Sequence, residues 1–359
     1  MPFQRLKAQL SQALAASLQD PEWPENVVLQ DLGTPPNPQM GHLSFPCFKL
    51  SKKLGKDANK IAKELADKTK MPHVTFQVAG PYLNARVDIG FLAKELFQDV
   101  FSKKEKYGSD DSGAGDLGLF EYCSPNIAKR LAFQHIRSIL IGHVISNVYE
   151  FLGAKALRVN FVGDWGSQFA RLLAAFELWG DPAKVTAANI PQSMDYLLEL
   201  YVRFHKELET KPELLANANQ CLQRLESHDP KTTDLWQNIR NVSATSMNTT
   251  LKRMGVHFDE MEGESQYIPS IEKTLEDVKK KAQARLSEGA WIVEVEGIST
   301  PALVQKKDGT TLYLTRDIAA AVSRKERHPF KSMYYIVGEQ QRLHFQLLFG
   351  ELKKIGYSW

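Results

Sequence analysis

The run LGLFEYCSPNIAKRLAFQHIRSILIGHVISNVYEFLGAKALRVNFVGDWGSQ, residues 117–168, sets the architecture. LGLFEYC reads as a strand, and HIRSILIGHVISNVYEFLG as a long apolar helix ending at Gly153. ALRVNFV is the next strand, followed by GDWG and the helix SQFARLLAAFELWG. Strand, helix, strand with short connections is the pattern of a parallel sheet covered by helices. Such sheets bind ligands outside the carboxyl ends of their strands, where helix N-termini face phosphates. Two turns occupy that place. SPNIAKRLAFQH, residues 124–135, offers hydroxyl, amide, cation and imidazole groups from Ser124, Asn126, Lys129, Arg130 and His135. In GDWGSQ, residues 163–168, Gly163 and Gly166 permit close backbone approach and Asp164 can hold hydroxyls. An ordinary polar strand-to-helix turn with an incidental histidine fits the spacing equally well. Neither turn is a GxGxxG or a P-loop, which disfavours a nucleotide-dependent oxidoreductase.

Downstream, residues 183–290 break the alternation. MDYLLELYVRFHKELE, TDLWQNIRNVSATSMNTTLKRMG and IEKTLEDVKKKAQARLSEG predict long helices without strands, a helical insertion. AWIVEVEG and ALVQKKDGTTLYLT restore strands, with a hairpin turn at Asp308 and Gly309, and DIAAAVSRKERH predicts a helix starting at Asp317. KSMYYIVG is a further strand and QQRLHFQLLFGELKKIG a further helix. After them an α/β alternation would next supply a strand.

Upstream, residues 1–112 read as a small α+β domain. Apolar residues at helical spacing cover 1–18, and a Pro-rich loop follows from Pro21. A helix is expected over 45–54, stopped by Gly55, and another after a cap at Asp57 or Asn59. VTFQVA and YLNARVDI form strands around a turn at Gly80 and Pro81, then FLAKELFQDVFSKK is helical. GSDDSGAGDLG, residues 108–118, is the linker candidate.

Composition narrows the class. The chain has 359 residues, 45 Lys+Arg against 42 Asp+Glu, and 43% hydrophobic residues, enough for a large core and for more than one domain. Its 3 cysteines, Cys47, Cys123 and Cys221, lie far apart with no CxxC, so neither a disulfide framework nor a cysteine zinc site is expected, and a reducing compartment fits. No apolar run approaches the ~20 residues that span a bilayer, so no membrane-spanning helix is expected. The first twenty residues form an amphipathic pattern without a signal core. Cytoplasm is expected, with an organellar destination left open by the Lys/Arg-bearing, acid-poor start.

Five motifs carry a resemblance. EYCSPNIAK, VNFVGDWGSQF, GESQYIP, KDGTTLYLTRDIAAA and VGEQQRLHFQLLF occur in the order found in arginyl-tRNA synthetases, class I aminoacyl-tRNA synthetases. GHLSFPCFKLSKKLGKDANKIAKELA and VAGPYLNARV resemble that family's extra N-terminal domain. The resemblance implies an α/β fold with a Rossmann-type catalytic domain at 113–359, incomplete at its C-terminus and carrying the insertion at about 183–290. It also implies a tRNA-contacting additional domain at 1–112. The implied reaction joins L-arginine and ATP as arginyl-adenylate, then transfers arginine to tRNA-Arg. ATP enters as its Mg2+ complex, no resident metal site is expected, and a monomer is favoured. The arginine carboxylate is the nucleophile, so positioning and charge stabilisation supply the rate.

Position by position, the resemblance makes Lys129 and His135 the catalytic pair, His135 falling on the last histidine of the HIGH-type signature. Glu121, Asn126, Tyr313, Asp317 and Gln341 fall on the arginine pocket. A carboxylate such as Asp317 suits the planar donor fork of a guanidinium; an acid stabilising the first turn of its helix is the plainer reading. Ser124, Pro125, Gly163, Asp164, Gly166 and His344 fall beside the nucleotide. Two departures stand out. The signature reads Ala132-Phe133-Gln134-His135, without the first histidine and the glycine. Nothing resembles the KMSK-type loop or the anticodon-reading helical domain, so a fragment or a degenerate relative is expected. The alternative to the enzyme is a non-catalytic fragment or paralogue binding arginine, nucleotide or tRNA. Eight lysines between Lys49 and Lys70 face three acids there, Asp57, Glu64 and Asp67, so an RNA-facing surface is expected, with a solvated basic face as the alternative.

Overall fold

A computed structural model describes residues 2–127, 129–307 and 309–359. The expected hairpin turn includes Asp308, which lies outside the described residues. The chain divides into two compact units, Met1–Ser109 and Asp110–Trp359.

In the first unit the elements are α1 (Pro2–Leu18), α2 (Glu25–Asp31), β1 (Leu43–Pro46), α3 (Phe48–Leu54), α4 (Ala58–Lys68), β2 (Val74–Ala79), β3 (Tyr82–Val87) and α5 (Ile89–Lys103). The strands form an antiparallel sheet in the order β1-β3-β2. Leu10, Leu14, Phe45, Leu50, Ile61 and Leu83 make its core. The helix expected over 45–54 is corrected. Residues 43–46 are a strand, with Phe45 opposite Leu83, and the helix begins at Phe48. Pro46 disfavours helical backbone at Phe45, whose ring is fully buried against the sheet. Asp57 is the cap of α4, its carboxylate accepting from the Asn59 and Lys60 amides. Gly41, at φ +136°, brings the chain onto β3; a Cβ there would lie 2.8 Å from the Ala85 carbonyl oxygen.

The second unit is built on β4 (Leu117–Cys123), α6 (Phe133–Phe151), β5 (Lys155–Val162) and α7 (Ser167–Trp179). Three helices follow, α8 (Ile190–Leu208), α9 (Leu214–Glu226) and α10 (Pro230–Arg253), then β6 (Glu260–Gly263) and α11 (Ile271–Lys281). A small antiparallel sheet of β7 (Arg285–Ser287), β8 (Ala290–Val293) and β9 (Ala302–Gln305) leads to α12 (Tyr313–Arg327), β10 (Ser332–Tyr335) and α13 (Arg342–Lys354). The main sheet is parallel, in the order β10-β4-β5-β6. This is the α/β arrangement expected.

The insertion is corrected too. Residues 183–290 are not strand-free, because β6 is the fourth strand of the parallel sheet. Its sequence, EMEG, lacks apolar alternation because the inward side chain is Glu262, paired with Arg324 and Arg327 instead of packed on hydrocarbon. β7 also falls inside that span. The expected start of the last-but-one helix moves from Asp317 to Tyr313. Thr315 is buried and its hydroxyl donates to the Val304 carbonyl, which turns TLYLT into helix after the single bridge between Gln305 and Thr311. The linker is short, since Gly113 already donates its amide to Leu152 at 2.7 Å within the second unit. Among the described residues, no helix is long and apolar enough to cross a membrane.

Candidate active site

Connections leave β4 toward β5 on one flank, while β10 is added on the other, so the order of the parallel strands switches between β4 and β10. A crevice opens at that point beyond the strand ends. The backbone after β4 stays beside β5 for three more residues: Gly163 donates to the Pro125 carbonyl at 3.0 Å, and Ile127 donates to the Gly163 carbonyl at 3.1 Å. A Cβ on Gly163 would lie 2.4 Å from Asn126 Oδ1, so a larger residue there would displace that side chain. Asn126 is then fixed by donating its side-chain amide to Gln168 at 3.1 Å.

The crevice has about 370 Å³ of free volume. Eight of the residues singled out in the sequence line it: Glu121, Ser124, Asn126, Gly163, Tyr313, Asp317, Gln341 and His344. They come from β4, the turn after it, the end of β5, the first turns of α12 and the start of α13. Phe161, Gln168, Glu264, Tyr335, Val337 and Phe345 complete the lining.

Charge beneath the crevice is organised by two arginines. Arg324 is buried, with Nη1 2.6 Å from Glu121 and Nε 2.7 Å from Glu262, and its guanidinium lies over the Phe161 ring. Burial opposes its charge, but the two carboxylates outweigh that and raise its pKa well above the usual value. Glu121 also accepts from the Ser124 hydroxyl at 3.1 Å, so its carboxylate is engaged before any ligand arrives. Arg316 reaches Glu264 at 2.5 Å. Burial pushes the Glu264 carboxyl up to about 7, against the opposing pull of Arg316. Asp317 differs: it has no arginine partner among the described residues and meets His344 Nε2 at 2.6 Å.

The remaining expected site residues lie outside the crevice lining. Asp164 is 0% exposed, accepting from the Ser265 amide and hydroxyl and pairing with Arg240 at 2.8 Å. Pro125 is buried and serves through its carbonyl. Gly166, at φ +90°, caps α7, with Arg316 Nη1 3.2 Å from where a Cβ would stand. Lys129 holds its ammonium 4.6 Å from the centre of the Tyr201 ring, on the inserted helix α8. His135 turns its Nδ1 back to accept from the Ala132 amide at 2.9 Å, closing the first turn of α6. Phe133 beside it is 88% exposed.

With this geometry established, a family model described as "tRNA synthetases class I (R), catalytic domain" matches residues 97–359. The chain belongs to the class I arginyl-tRNA synthetase family. A second model, the "Arginyl tRNA synthetase N terminal domain", matches residues 4–87. An arginine--tRNA ligase of Clostridioides difficile strain 630 is 39% identical over 360 residues, covering 99% of this chain and 62% of that protein. One from Halothermothrix orenii is 38% identical over 328 residues, covering 90% of this chain and 57% of the relative. The chain thus spans about 60% of the length of such relatives. Among solved structures, the arginyl-tRNA synthetase of Plasmodium falciparum matches with a TM-score of 0.70 at 20% identity, over 99% of this chain and 63% of that one. The Thermus thermophilus arginyl-tRNA synthetase matches at 0.67 and 22%, over 98% of this chain and 63% of that one. These two show the shared fold.

Sequence reasoning missed the arginines beneath this crevice. Arg324 lies seven residues, two helical turns, after Asp317, and Tyr313 lies four before it, so one face of α12 delivers all three toward the strand ends. Glu264 sits in GESQYIP and Gln168 in GDWGSQ, both inside motifs already singled out.

Proposed function

We propose that this chain forms the arginine- and ATP-handling part of an arginine--tRNA ligase. L-arginine enters the crevice, and its guanidinium replaces the His344 imidazole on Asp317. Tyr313 walls the side chain, and Asn126, Gln341 and Glu121 complete the polar lining. A carboxylate oxygen of arginine attacks the α-phosphorus of ATP, the bond to pyrophosphate breaks, and arginyl-adenylate forms. The 3′ end of tRNA-Arg then takes the arginyl group and AMP leaves. Positioning supplies the rate, since no side-chain nucleophile is needed.

The observation that carries this reading is the setting of Asp317. It is the crevice carboxylate without an arginine partner among the described residues, beside a phenol, and a guanidinium satisfies it with paired, planar donors. Ser124, Pro125, Gly163, Asp164, Gly166 and His344 shape the nucleotide side, Asp164 and Pro125 by fixing the backbone. Lys129 and His135 serve the phosphates once Lys129 leaves Tyr201. Mg2+ enters with ATP; among the described residues, no three His, Cys, Asp or Glu side chains form a metal-holding cluster. The first unit contacts tRNA, and the protein works as a cytoplasmic monomer, an organellar site being the variant reading.

A second reading, a chain that binds these ligands without joining them, is favoured by one observation: Ala132 and Gln134 stand where the signature has histidine and glycine. Calorimetry with arginine, lysine and citrulline tests the proposal. Arginine should bind at least ten-fold tighter than either. Equal affinity for citrulline, which keeps the shape and loses the charge, would remove Asp317 from the pocket.

A further inference from the structure

Arg130 stands beside Lys129 in the turn after β4, and the reaction described above leaves it unused. Its guanidinium reaches the inserted helix α8 at two points, donating to the Pro191 carbonyl at 2.8 Å and pairing with Asp195 at 2.7 Å. Pro191 and Asp195 are four residues apart, so they lie one above the other on one face of α8. Lys129 meets the same helix further on, its ammonium 4.6 Å from the centre of the Tyr201 ring. Six residues of helix, about 9 Å of rise, separate Asp195 from Tyr201. Two consecutive side chains of the turn therefore grip α8 at separate places. Basic groups crowd the second of them: His205 packs on Tyr201 at 4.5 Å, and its pKa is lowered by burial and by the charges of Arg171 and Lys129. Both grips are light. The Arg130 and Asp195 side chains are 49% and 60% exposed, where an ion pair contributes little, and an accessible ammonium over a phenol adds a similarly small amount. Such contacts do not decide whether the unit folds, but they suit a hold that a ligand can release.

We propose that Arg130, Asp195 and Tyr201 are positioning residues, which hold Lys129 on α8 outside the crevice until the phosphates of ATP draw its ammonium in. A route exists. Asn126, Lys129, Gly163, Gln168 and Tyr201 line a narrow cleft, and Asn126, Gly163 and Gln168 also line the crevice, so the two spaces adjoin. A triphosphate offers the ammonium full negative charges, against the partial charge of a ring face, so the exchange favours the nucleotide. Arg130 acts through its neighbour. While it clips the turn to α8, the Lys129 ammonium stays within reach of Tyr201, and loss of the clip frees the turn. The inserted helix thereby sets nucleotide affinity from outside the crevice. The proposal rests on the reading that Lys129 serves the phosphates, and adds what governs its arrival there.

Reductive methylation of the 359-residue chain with isotope-labelled formaldehyde keeps lysine charge and gives each ammonium an NMR signal, that of Lys129 being the one lost in Lys129→Arg. Over the Tyr201 ring this signal should lie upfield, in the unaltered chain and in Tyr201→Phe. It should return to the ordinary lysine position in Tyr201→Leu, move toward it in Arg130→Ala and Asp195→Ala, and leave the ring with saturating Mg2+-ATP. The signal of Lys184, 4.9 Å from the Tyr196 ring, should stay in place throughout. By calorimetry Tyr201→Leu should bind ATP about two- to five-fold tighter, as expected when one accessible cation–π contact no longer competes. That gain should vanish when Lys129→Ala is added. An ordinary Lys129 signal in the unaltered chain, or an upfield one that survives Tyr201→Leu, overturns the hold. An upfield signal unmoved by both surface changes, Arg130→Ala and Asp195→Ala, overturns the clip, and this decides the matter if Tyr201→Leu does not fold. Weaker ATP binding in Lys129→Ala without any upfield signal keeps the phosphate role and removes the hold. An upfield signal that saturating ATP leaves in place overturns the release and the phosphate role of Lys129 together, as does a chain that binds no ATP.

Discussion

Nε2 of His344 lies 2.6 Å from Oδ2 of Asp317. The contact joins α12 to α13 across the crevice and occupies the carboxylate that an arginine side chain would need. On the proposed reading, guanidinium and imidazole would compete for one oxygen pair. Asp317→Asn should weaken arginine binding about ten-fold or more, since a hydrogen bond to a charged group contributes ~1.5–3 kcal/mol. His344→Ala should leave arginine affinity equal or higher, because it frees Asp317. If calorimetry shows both variants losing arginine equally, the imidazole itself touches the ligand and the competition is wrong.

Asp164 looks like a ligand residue in the sequence and like a structural hub in the fold. Its carboxylate ties the end of β5 to Ser265 and to Arg240 on α10. Removing one partner of a buried pair costs about 3–5 kcal/mol, so Asp164→Ala should lower the unfolding midpoint sharply. Any loss of nucleotide affinity should follow that loss of stability, because Asp164 acts only through the backbone it fixes. A variant with normal stability and impaired nucleotide binding would return Asp164 to the site.

These two aspartates mark what the sequence could and could not tell. The alternation around residues 117–168 is local, so the parallel strands and their turns were legible. So were the crevice residues near strand ends and helix starts. β6 was hidden because Glu262 answers Arg324 from another segment, and no period shows such a pair. The basic surface of the first unit is less free than its local charge count implies, for the same reason. Lys53 is held by Asp20 and Glu22, and Lys49 by Asp31, acids that lie far from them along the chain. Counting charges in one window cannot see partners outside it.

That correction sharpens the RNA prediction. Lys52, Lys60 and Lys63 are exposed, and no ion pair to them is found among the described residues, whereas Lys53 is already neutralised. Changing the three together to alanine should weaken tRNA binding and lower the slope of log affinity against log salt, by up to about one unit for each phosphate no longer neutralised. Lys53→Ala should change the slope less. Identical salt dependence in the triple variant would make these lysines an ordinary solvated face.

Glu351 on α13 gives a stability prediction. It is fully buried in the core beneath the small sheet, and neither carboxylate oxygen finds a hydrogen-bond partner among the described residues. Burial pushes its pKa up to about 8 from 4.5, with Lys354 opposing. The folded state therefore holds this proton more tightly than the unfolded state, and stability is lost as pH rises from about 4.5 through about 8. At about 1.36 kcal/mol per unit, the loss is on the order of 5 kcal/mol. Glu351→Leu should raise the unfolding midpoint, more at about pH 8.5 than at about pH 5. A gain that does not grow with pH would show that the carboxyl is solvated or paired.

The last prediction concerns adenylation. On the proposed reading, three features would weaken the phosphate side at once: Ala132 stands where the signature has an imidazole, Gln134 adds a side chain at the helix start, and Lys129 rests over Tyr201. Losing a single preorganised donor commonly costs about 10²–10³ in rate. The 359-residue chain should therefore perform arginine-dependent ATP–pyrophosphate exchange far below ~1 s⁻¹, the low end of ordinary turnover, even with tRNA-Arg present. Arginine binding should persist, because the lining around Asp317 is intact. Ala132→His with Gln134→Gly should raise exchange without changing arginine affinity, as expected when only transition-state interactions are restored. Exchange at about 1 s⁻¹ or faster in the unaltered chain would mean that Ala132 and Gln134 leave ATP placement intact, and that Lys129 moves off Tyr201 readily.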